Sequence, residues 1–315
     1  MDPTKIKNLK LTGSINGDDY TFMRDKMTSL QRLNLKEVES IINGVYAIPN
    51  GAFYRKKTLS KCFLPEKLER IERNAFSYTA LTGSLLLPEG LKYVSGFAYT
   101  NITNVHFPST LEEIGGEAFH YCMSLMTEIS LPQSLKVIGD EAFSSAAISG
   151  NLVLPDELES IGVQAFGGCS SLKGSLTIPN KVTVISAFAF SGCGFTGTLT
   201  LPAGLVEIQE YAFCNTKFKV ELNIPSTVTT IGNFAFQNTL FNGTLVLPSE
   251  LISLGTGVFW GCWRLSGVVE IPSNIVAIPS NLFSDCTWLE GVVLHKDVEV
   301  IEASAFNNCY GIHSI

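Results

Sequence analysis

Apolar residues recur along this chain in a fixed order and at a nearly fixed spacing. The sharpest instance is Ile161-Gly-Val-Gln-Ala-Phe-Gly-Gly-Cys169, and Ile114–Phe119, Ile138–Phe143, Ile231–Phe236 and Ile301–Phe306 repeat it. Weaker versions run from Val94 to Tyr99 and from Leu254 to Phe259. Read this way, the aromatic that closes the motif stands at Phe53, Phe76, Tyr99, Phe119, Phe143, Phe166, Phe190, Phe213, Phe236, Phe259, Phe283 and Phe306, in steps of 20 to 24 residues. A period in this range is the signature of a solenoid. Such a fold buries its core one coil against the next and has no single spherical centre.

Each period divides into the same parts. A Pro stands eleven residues before the aromatic, from Pro65 to Pro272, and His295 takes that place once. The residues before it alternate, as in Gly83-Ser-Leu85-Leu-Leu87-Pro88, which predicts a short strand ended by the Pro. An aliphatic follows three residues after the Pro and another three later, with extended chain expected between them. The x-x-Ala-Phe-x-x-Cys segment reads as one helical turn, entered through a Gly or Ser that permits the bend. The Phe should fill the space between layers.

Residues 1–40 do not fit the period and read as an N-terminal cap of strand, helix and strand. Ile6, Leu9 and Leu11 suggest the first strand. Asp18 or Asp19 is placed to cap a helix running to about Thr28, with Phe22, Met23 and Met27 apolar on it. Leu30-Gln-Arg-Leu33-Asn-Leu35 is the second strand. Residues 41–315 form the repeats, about 12 of 23 residues, in one continuous solenoid. Gly311–Ile315 looks like the start of a further strand.

Charge changes the picture at one end. Residues 1–73 hold 14 Lys and Arg against 9 Asp and Glu, whereas residues 74–315 hold 8 against 20, for a net charge of −7. A basic end could meet an acidic surface. The long acidic remainder would repel phosphates, which argues against nucleic acid as a partner. No run approaches the roughly 18 apolar residues of a membrane helix. Met1-Asp-Pro-Thr-Lys5 has no apolar signal core, which leaves a cytosolic protein or one whose signal has been removed.

The assembled pattern, L-x-G-x-L-x-[LI]-P-x-x-[LV]-x-x-I-[GS]-x-x-A-F-x-x-C, resembles the BspA-like leucine-rich repeat proteins, a bacterial surface class common in Bacteroidetes. The cap is similar to theirs in Leu9-Lys-Leu-Thr-Gly13, Asn16-Gly-Asp-Asp19 and Leu33-Asn-Leu35. The resemblance implies an α/β fold, a right-handed leucine-rich-repeat solenoid with a curved parallel sheet on its concave side. It also implies export to the cell surface and adhesion to host or bacterial surface proteins or glycans. It brings no enzyme activity and no cofactor, and no set of contact residues to transfer. The protein is expected to be a monomer.

Candidate chemistry is sparse. Six of the eight cysteines sit three residues after the aromatic, where Thr79, Ala146, Thr216 and Thr239 stand in other repeats, so the slot reads as a small buried position holding free thiols. Parallel inward side chains on neighbouring coils, roughly 5 Å apart, are poorly disposed for a disulfide. No C-x-x-C pair, P-loop or G-x-S-x-G occurs, and the four histidines fall in four different repeat positions. No catalytic, metal or cofactor-binding residue is assigned.

Two surfaces remain as binding candidates. On the predicted concave face the outward strand positions are mostly Ser, Thr, Asn and Val, and His106, Ser130, Thr177, Thr200, Asn223 and Glu270 represent them. The sharper candidate is a column two residues before the Phe. Most repeats carry Glu, Gln, Asn or Gly there, but three consecutive ones carry Phe188, Tyr211 and Phe234. The same repeats place Phe195, Phe218 and Phe241 five residues after the aromatic, and Trp260, Trp263 and Trp288 follow. Together these suggest an aromatic ridge over residues 188–288. The opposing expectation is that the rings are extra core, and burial of Phe188, Tyr211 and Phe234 beyond about nine-tenths would establish it.

Overall fold

The computed structural model describes residues 2–314. The chain divides into two compact units, Met1–Ser149 and Gly150–Ile315.

The first unit opens with strand β1 (Asn8–Ile15), helix α1 (Gly17–Asp25) and strand β2 (Arg32–Ile42). The helix starts at Asn16, not at either aspartate. The Asn16 side chain accepts from the Asp18 and Asp19 N–H groups, and the Asp19 carboxylate accepts from the Asn16 N–H at 2.9 Å, a reciprocal capping box. Asp25 ends the helix. Its buried face is Tyr20 and Met23, while Phe22 points outward. Lys56, itself buried, donates from Nζ to the Arg24 and Met27 carbonyls at 2.9 and 2.8 Å. It thereby occupies the Arg24 carbonyl that the helix end leaves free and ties the following turn, through Met27, to the first coil.

The coils follow, built from β3 (Val45–Ile48), β4 (Lys61–Phe63), β5 (Arg70–Ile71), β6 (Thr82–Leu86), β7 (Tyr93–Val94), β8 (Asn101–His106), β9 (Glu113–Ile114) and β10 (Val137–Ile138). Both extended stretches of the repeat form strands, but unequally. The segment ending in the motif aliphatic gives an unbroken parallel ladder, with Ile48, Ile71, Val94, Ile114 and Ile138 in register. The strands that precede the prolines pair only locally, β2 with β4 and β6 with β8. The second unit shows the same contrast. Ile185, Ile208, Ile231 and Leu254 align in one ladder. Before the prolines, Leu176–Thr177 pairs with Leu199–Thr200, and Val268–Glu270 with Gly291–Val293. Ser314 bridges Gly291, as a further strand would, while Ile315 lies outside the described residues.

The segment around the Phe is not a helical turn. Its N–H groups alternate between two kinds of partner. In the Phe119 coil the N–H groups of Ala118, His120 and Cys122 bond back three residues, to Gly115, Glu117 and Phe119. Those of Glu117, Phe119 and Tyr121 bond forward to the carbonyls of Asp140, Ala142 and Ser144 in the next coil, at 2.7–2.9 Å. The Phe166 and Phe213 coils repeat this pattern. In these three coils all six amides of the segment are used, half within the coil and half between coils. The geometry depends on left-handed backbone two residues before and two after the Phe. Glu117, Gln164, Phe188, Tyr211 and Phe234 have φ of 54–58° at the first position, and Tyr121, Asn215 and Asn238 have 53–59° at the second. A helix cannot pass through alternating left-handed residues, so the expected turn becomes a stack of tight turns.

The glycine after the motif Ile serves close approach rather than the bend. A Cβ on Gly139 would lie 2.7 Å from the Gly116 nitrogen, and one on Gly232 would lie 2.6 Å from the Glu210 nitrogen, both backbone of the preceding coil.

The Phe rings form the core as stacked columns. In the first unit Phe53, Phe76, Phe97, Phe119 and Phe143 stack at 5.2–5.7 Å. In the second Phe166, Phe190, Phe213, Phe236, Phe259 and Phe283 stack at 5.6–5.7 Å. The first column corrects the sequence alignment. Phe97, not Tyr99, is the buried ring of its coil, and Tyr99 lies outside it. That coil is shortened, and Gly96, at φ 90° with no room for a Cβ, makes the tighter entry.

Candidate binding surface

The left-handed positions decide what the turns can display. A side chain two residues before or after the Phe is held on the outer edge of the coil, one coil spacing from its counterparts. Residues chosen there stack into columns without disturbing the core.

In the second unit the column before the Phe is aromatic. Phe188 and Tyr211 stack with centroids 4.7 Å apart and planes at 11°, and Tyr211 and Phe234 at 4.9 Å and 24°. Trp260 continues it at 6.2 Å from Phe234, and its Nε1–H donates to Asp285 at 2.8 Å, which fixes the indole. All four are half-buried, short of the burial that would make them core. Trp263 and Trp288 form a separate pair, perpendicular at 5.3 Å and exposed to 38% and 53%. Arg264 lies over the Trp263 ring at 5.1 Å. Among the described residues no ring contact joins this pair to the column.

Phe195, Phe218 and Phe241 do not belong to the ridge. They are fully buried and stack on one another at 5.6 Å, with edge contacts to Phe190, Phe213 and Phe236. They form a second inner column in place of the usual Leu or Ile.

The face predicted as concave is exposed at every assigned position, but its residues are scattered. His106 and Ser130 lie in the first unit and Thr177, Thr200, Asn223 and Glu270 in the second. Thr177 and Thr200 are register partners, His106 sits beside Asn104 at 3.1 Å, and Asn223 bridges to Val246. These contacts do not bring the six together at one point.

The first unit carries a column that sequence reasoning missed. Tyr78, Tyr99 and Tyr121, two residues after the Phe, stack at 4.3 and 5.0 Å with planes within 11°. Tyr54 meets Tyr78 edge-on, Arg55 lies over both rings at 5.1 and 5.6 Å, and His120 packs on Tyr99 and Tyr121. Tyr99 and Tyr121 are 39% and 43% exposed. The signal was present in the spacing, but it emerges only once Phe97 is taken as the core ring and Tyr99 is freed.

The cysteines are free thiols, and those of the repeat slot cap backbone. Cys122, Cys193, Cys262 and Cys286 point Sγ at the carbonyl of the preceding coil's Phe at 3.1–3.2 Å. Thr79, Thr100 and Thr216 serve their own coil's Phe at 2.7–2.8 Å. Burial pushes the Cys262 thiol up to about 11 and raises Cys193 and Cys286 well above their ordinary value, so they are protonated and not nucleophiles. Among the described residues no three His, Cys, Asp or Glu gather as a metal set, and no helix is long and apolar enough to cross a membrane.

Among known proteins, the family model described as a BspA type leucine rich repeat region matches residues 4–98, 93–219, 149–266 and 206–315. A leucine-rich repeat protein from Bacteroides ovatus, solved by crystallography, is similar with 25% identity and a TM-score of 0.61, over 85% of this chain and 69% of that one. A leucine-rich cell surface protein from Faecalibacterium prausnitzii shares 19% identity over 98% of this chain and 87% of its own, with a TM-score of 0.48. No curated protein matches. With the family match spanning nearly the whole sequence, and the coils, core columns and capped first helix in place beneath it, the chain belongs to the BspA-type leucine-rich repeat family.

Proposed function

We propose that this chain is a non-enzymatic, exported or cell-surface binding protein that adheres to host or bacterial surface proteins through the aromatic columns on its turn edges. The observation that carries the reading is the column Phe188–Tyr211–Phe234–Trp260. Its rings are ordered by stacking and by the Trp260–Asp285 hydrogen bond, yet remain partly exposed. Rigid aromatic side chains lose little freedom on binding, and they dominate hot spots at protein interfaces. The repeat scaffold supports the same role, because its family is one of surface proteins and its core is independent of these positions.

A glycan ligand is the second reading, and Trp263 with Trp288 favours it. Their planes are perpendicular rather than stacked and Trp288 is the more exposed of the two, and sugar stacking requires an aromatic face not spent on a parallel neighbour. The test is binding of the whole chain to a panel of purified host matrix proteins and to a glycan array. It is repeated with the triple variant Phe188→Asn, Tyr211→Asn, Phe234→Asn and with the double variant Trp263→Ala, Trp288→Ala. Asn tolerates the left-handed backbone and stands in that slot at Asn74 and Asn281. Loss of a protein partner in the triple variant supports the column, and loss of a glycan in the double variant supports the second reading. Wild-type binding by the triple variant to every protein partner sinks the first reading.

A further inference from the structure

The first unit contains an opening into its core that the repeat pattern does not require. β4 is hydrogen-bonded to β2 and β6 to β8, but no ladder joins β4 to β6. The two coils are joined through β5 and β7, but beside β4 and β6 the contact is a single Thr82 N–H to the Ser60 carbonyl, at 3.4 Å. A cavity of about 850 Å³ lies between them. That volume is within the range of small-molecule sites. The inward residues of the two strands record the breach. Cys62 and Leu85 are half-buried, whereas the equivalent Val105, Leu176, Leu199, Leu222, Leu245 and Val269 are at most 5% exposed.

The lining is divided by chemistry. Leu81, Leu85 and Ile102, backed by the core rings Phe76 and Phe97, make an apolar floor. The rim carries Arg32, Lys36 and Lys61 against Glu66 and Glu89. Lys36 and Lys61 both place Nζ near the exposed Phe63 ring, 5.8 and 4.8 Å from its centroid. Among the described residues none of the three cations is ion-paired, although the nearby Lys10 and Lys67 are, to Glu37 and Glu39. Glu89 is engaged by the Ser109 hydroxyl at 3.2 Å. The positive excess of residues 1–73, in a chain otherwise acidic, thus includes three free cations at the mouth of an apolar hole.

We infer that this opening binds an amphipathic carboxylate, a straight acyl chain that lays its tail along Leu85 over the Leu81–Ile102 floor and its anionic end among Lys36, Lys61 and Arg32. An extended peptide pairing with the free strand edges would leave the depth of the cavity unfilled, and a neutral hydrocarbon would leave the cations without a counter-charge. The occupant that satisfies both halves has an anion at one end.

Calorimetric titration of the whole chain with octanoate, decanoate and dodecanoate tests this, with decyltrimethylammonium and 1-decanol as controls. One carboxylate should bind per chain, about fourfold tighter for each methylene that enters the pocket. Decanoate should exceed the alcohol, and the ammonium should not bind. Lys36→Gln with Lys61→Gln, both at the exposed rim, should weaken decanoate at least tenfold. Leu85→Trp, which fills the hole, should abolish binding while the chain stays folded by circular dichroism. Absence of binding by any carboxylate, equal binding of carboxylate and ammonium, or no dependence on chain length would each overturn the inference. So would unchanged affinity in the lysine variant, which stands even if Leu85→Trp fails to fold. These variants leave the aromatic columns intact, so failure here is separate from failure of adhesion.

Discussion

Replacing Tyr211 by glycine and by alanine asks the turn geometry a question of sign. The Tyr211 ring has Phe188 on one face at 4.7 Å and Phe234 on the other at 4.9 Å. Each aromatic pair contributes roughly 0.5–1.5 kcal/mol beyond its buried area, so either replacement loses about 1–3 kcal/mol from the two stacks. The variants differ in the backbone. Tyr211 has φ of 54°, where an L-residue is disfavoured by roughly 1–2 kcal/mol. Alanine keeps that cost and glycine removes it, with part of the gain offset by glycine's greater freedom in the unfolded chain. Tyr211→Gly should therefore be more stable than Tyr211→Ala by about 1 kcal/mol. In a helical turn the order reverses, alanine leading by about 0.8–1.0 kcal/mol. Urea unfolding followed by tryptophan fluorescence separates the two, as a midpoint difference at constant slope. An alanine variant as stable as the glycine variant would refute the left-handed reading of this column and the display argument built on it.

Two further perturbations test the core. Phe213→Ala removes a fully buried ring stacked at 5.6 Å on both Phe190 and Phe236, and should cost about 3–5 kcal/mol in urea unfolding; a loss below about 1 kcal/mol would mean that neighbouring coils close the gap. Alkaline pH should destabilise the fold through its thiols. The Cys262 value in the fold, about 11, lies above that of an unfolded thiol, so its contribution is fully present below about pH 8.5 and is lost as pH rises toward 11. The slope is about 1.4 kcal/mol per pH unit for each such group, and Cys262→Thr, which copies Thr239 in the same slot, should flatten it between pH 8 and 10; an unchanged slope would remove the thiol from the account.

Much of this architecture was legible because period and burial coincide. The Ile and Phe slots are buried in nearly every coil and so recur along the whole chain. The turn was misread because x-x-Ala-Phe-x-x-Cys has helical spacing, and although Asn74, Asn215, Asn238 and Asn281 hold left-handed positions, the same slots carry Glu117, Gln164, Phe188, Tyr211 and Phe234 in other coils, which do not announce a positive φ. The alignment slipped at Tyr99 because the coil is shortened at Gly96 and offers two aromatics two residues apart. That slip hid the tyrosine column. The Phe188–Tyr211–Phe234 column was found because it broke a slot otherwise filled by polar residues. The opening at β4 and β6 had no signal in the pattern. Cys62 and Leu85 are ordinary inward residues in the sequence, and only their partial exposure in the fold reveals the opening.

The stacking that orders the columns also limits what they can bind. In a column with planes within about 24° each inner ring uses both faces on its neighbours, as Tyr211 does between Phe188 and Phe234. What remains for solvent is a row of ring edges at one-coil spacing, carrying a positive rim and, in the Tyr78–Tyr99–Tyr121 column, hydroxyl groups. A sugar ring needs an open aromatic face and would find one only at a column's end. A protein surface can use edges, through carbonyl and carboxylate oxygens directed at the rim and through apolar side chains set between rings. The columns therefore suit a protein partner that runs along several coils, whereas the exposed Trp263–Trp288 pair, with its planes perpendicular, is not spent on parallel stacking. Because the columns occupy slots that the core ignores, partner choice can change coil by coil while the Phe stack beneath stays the same.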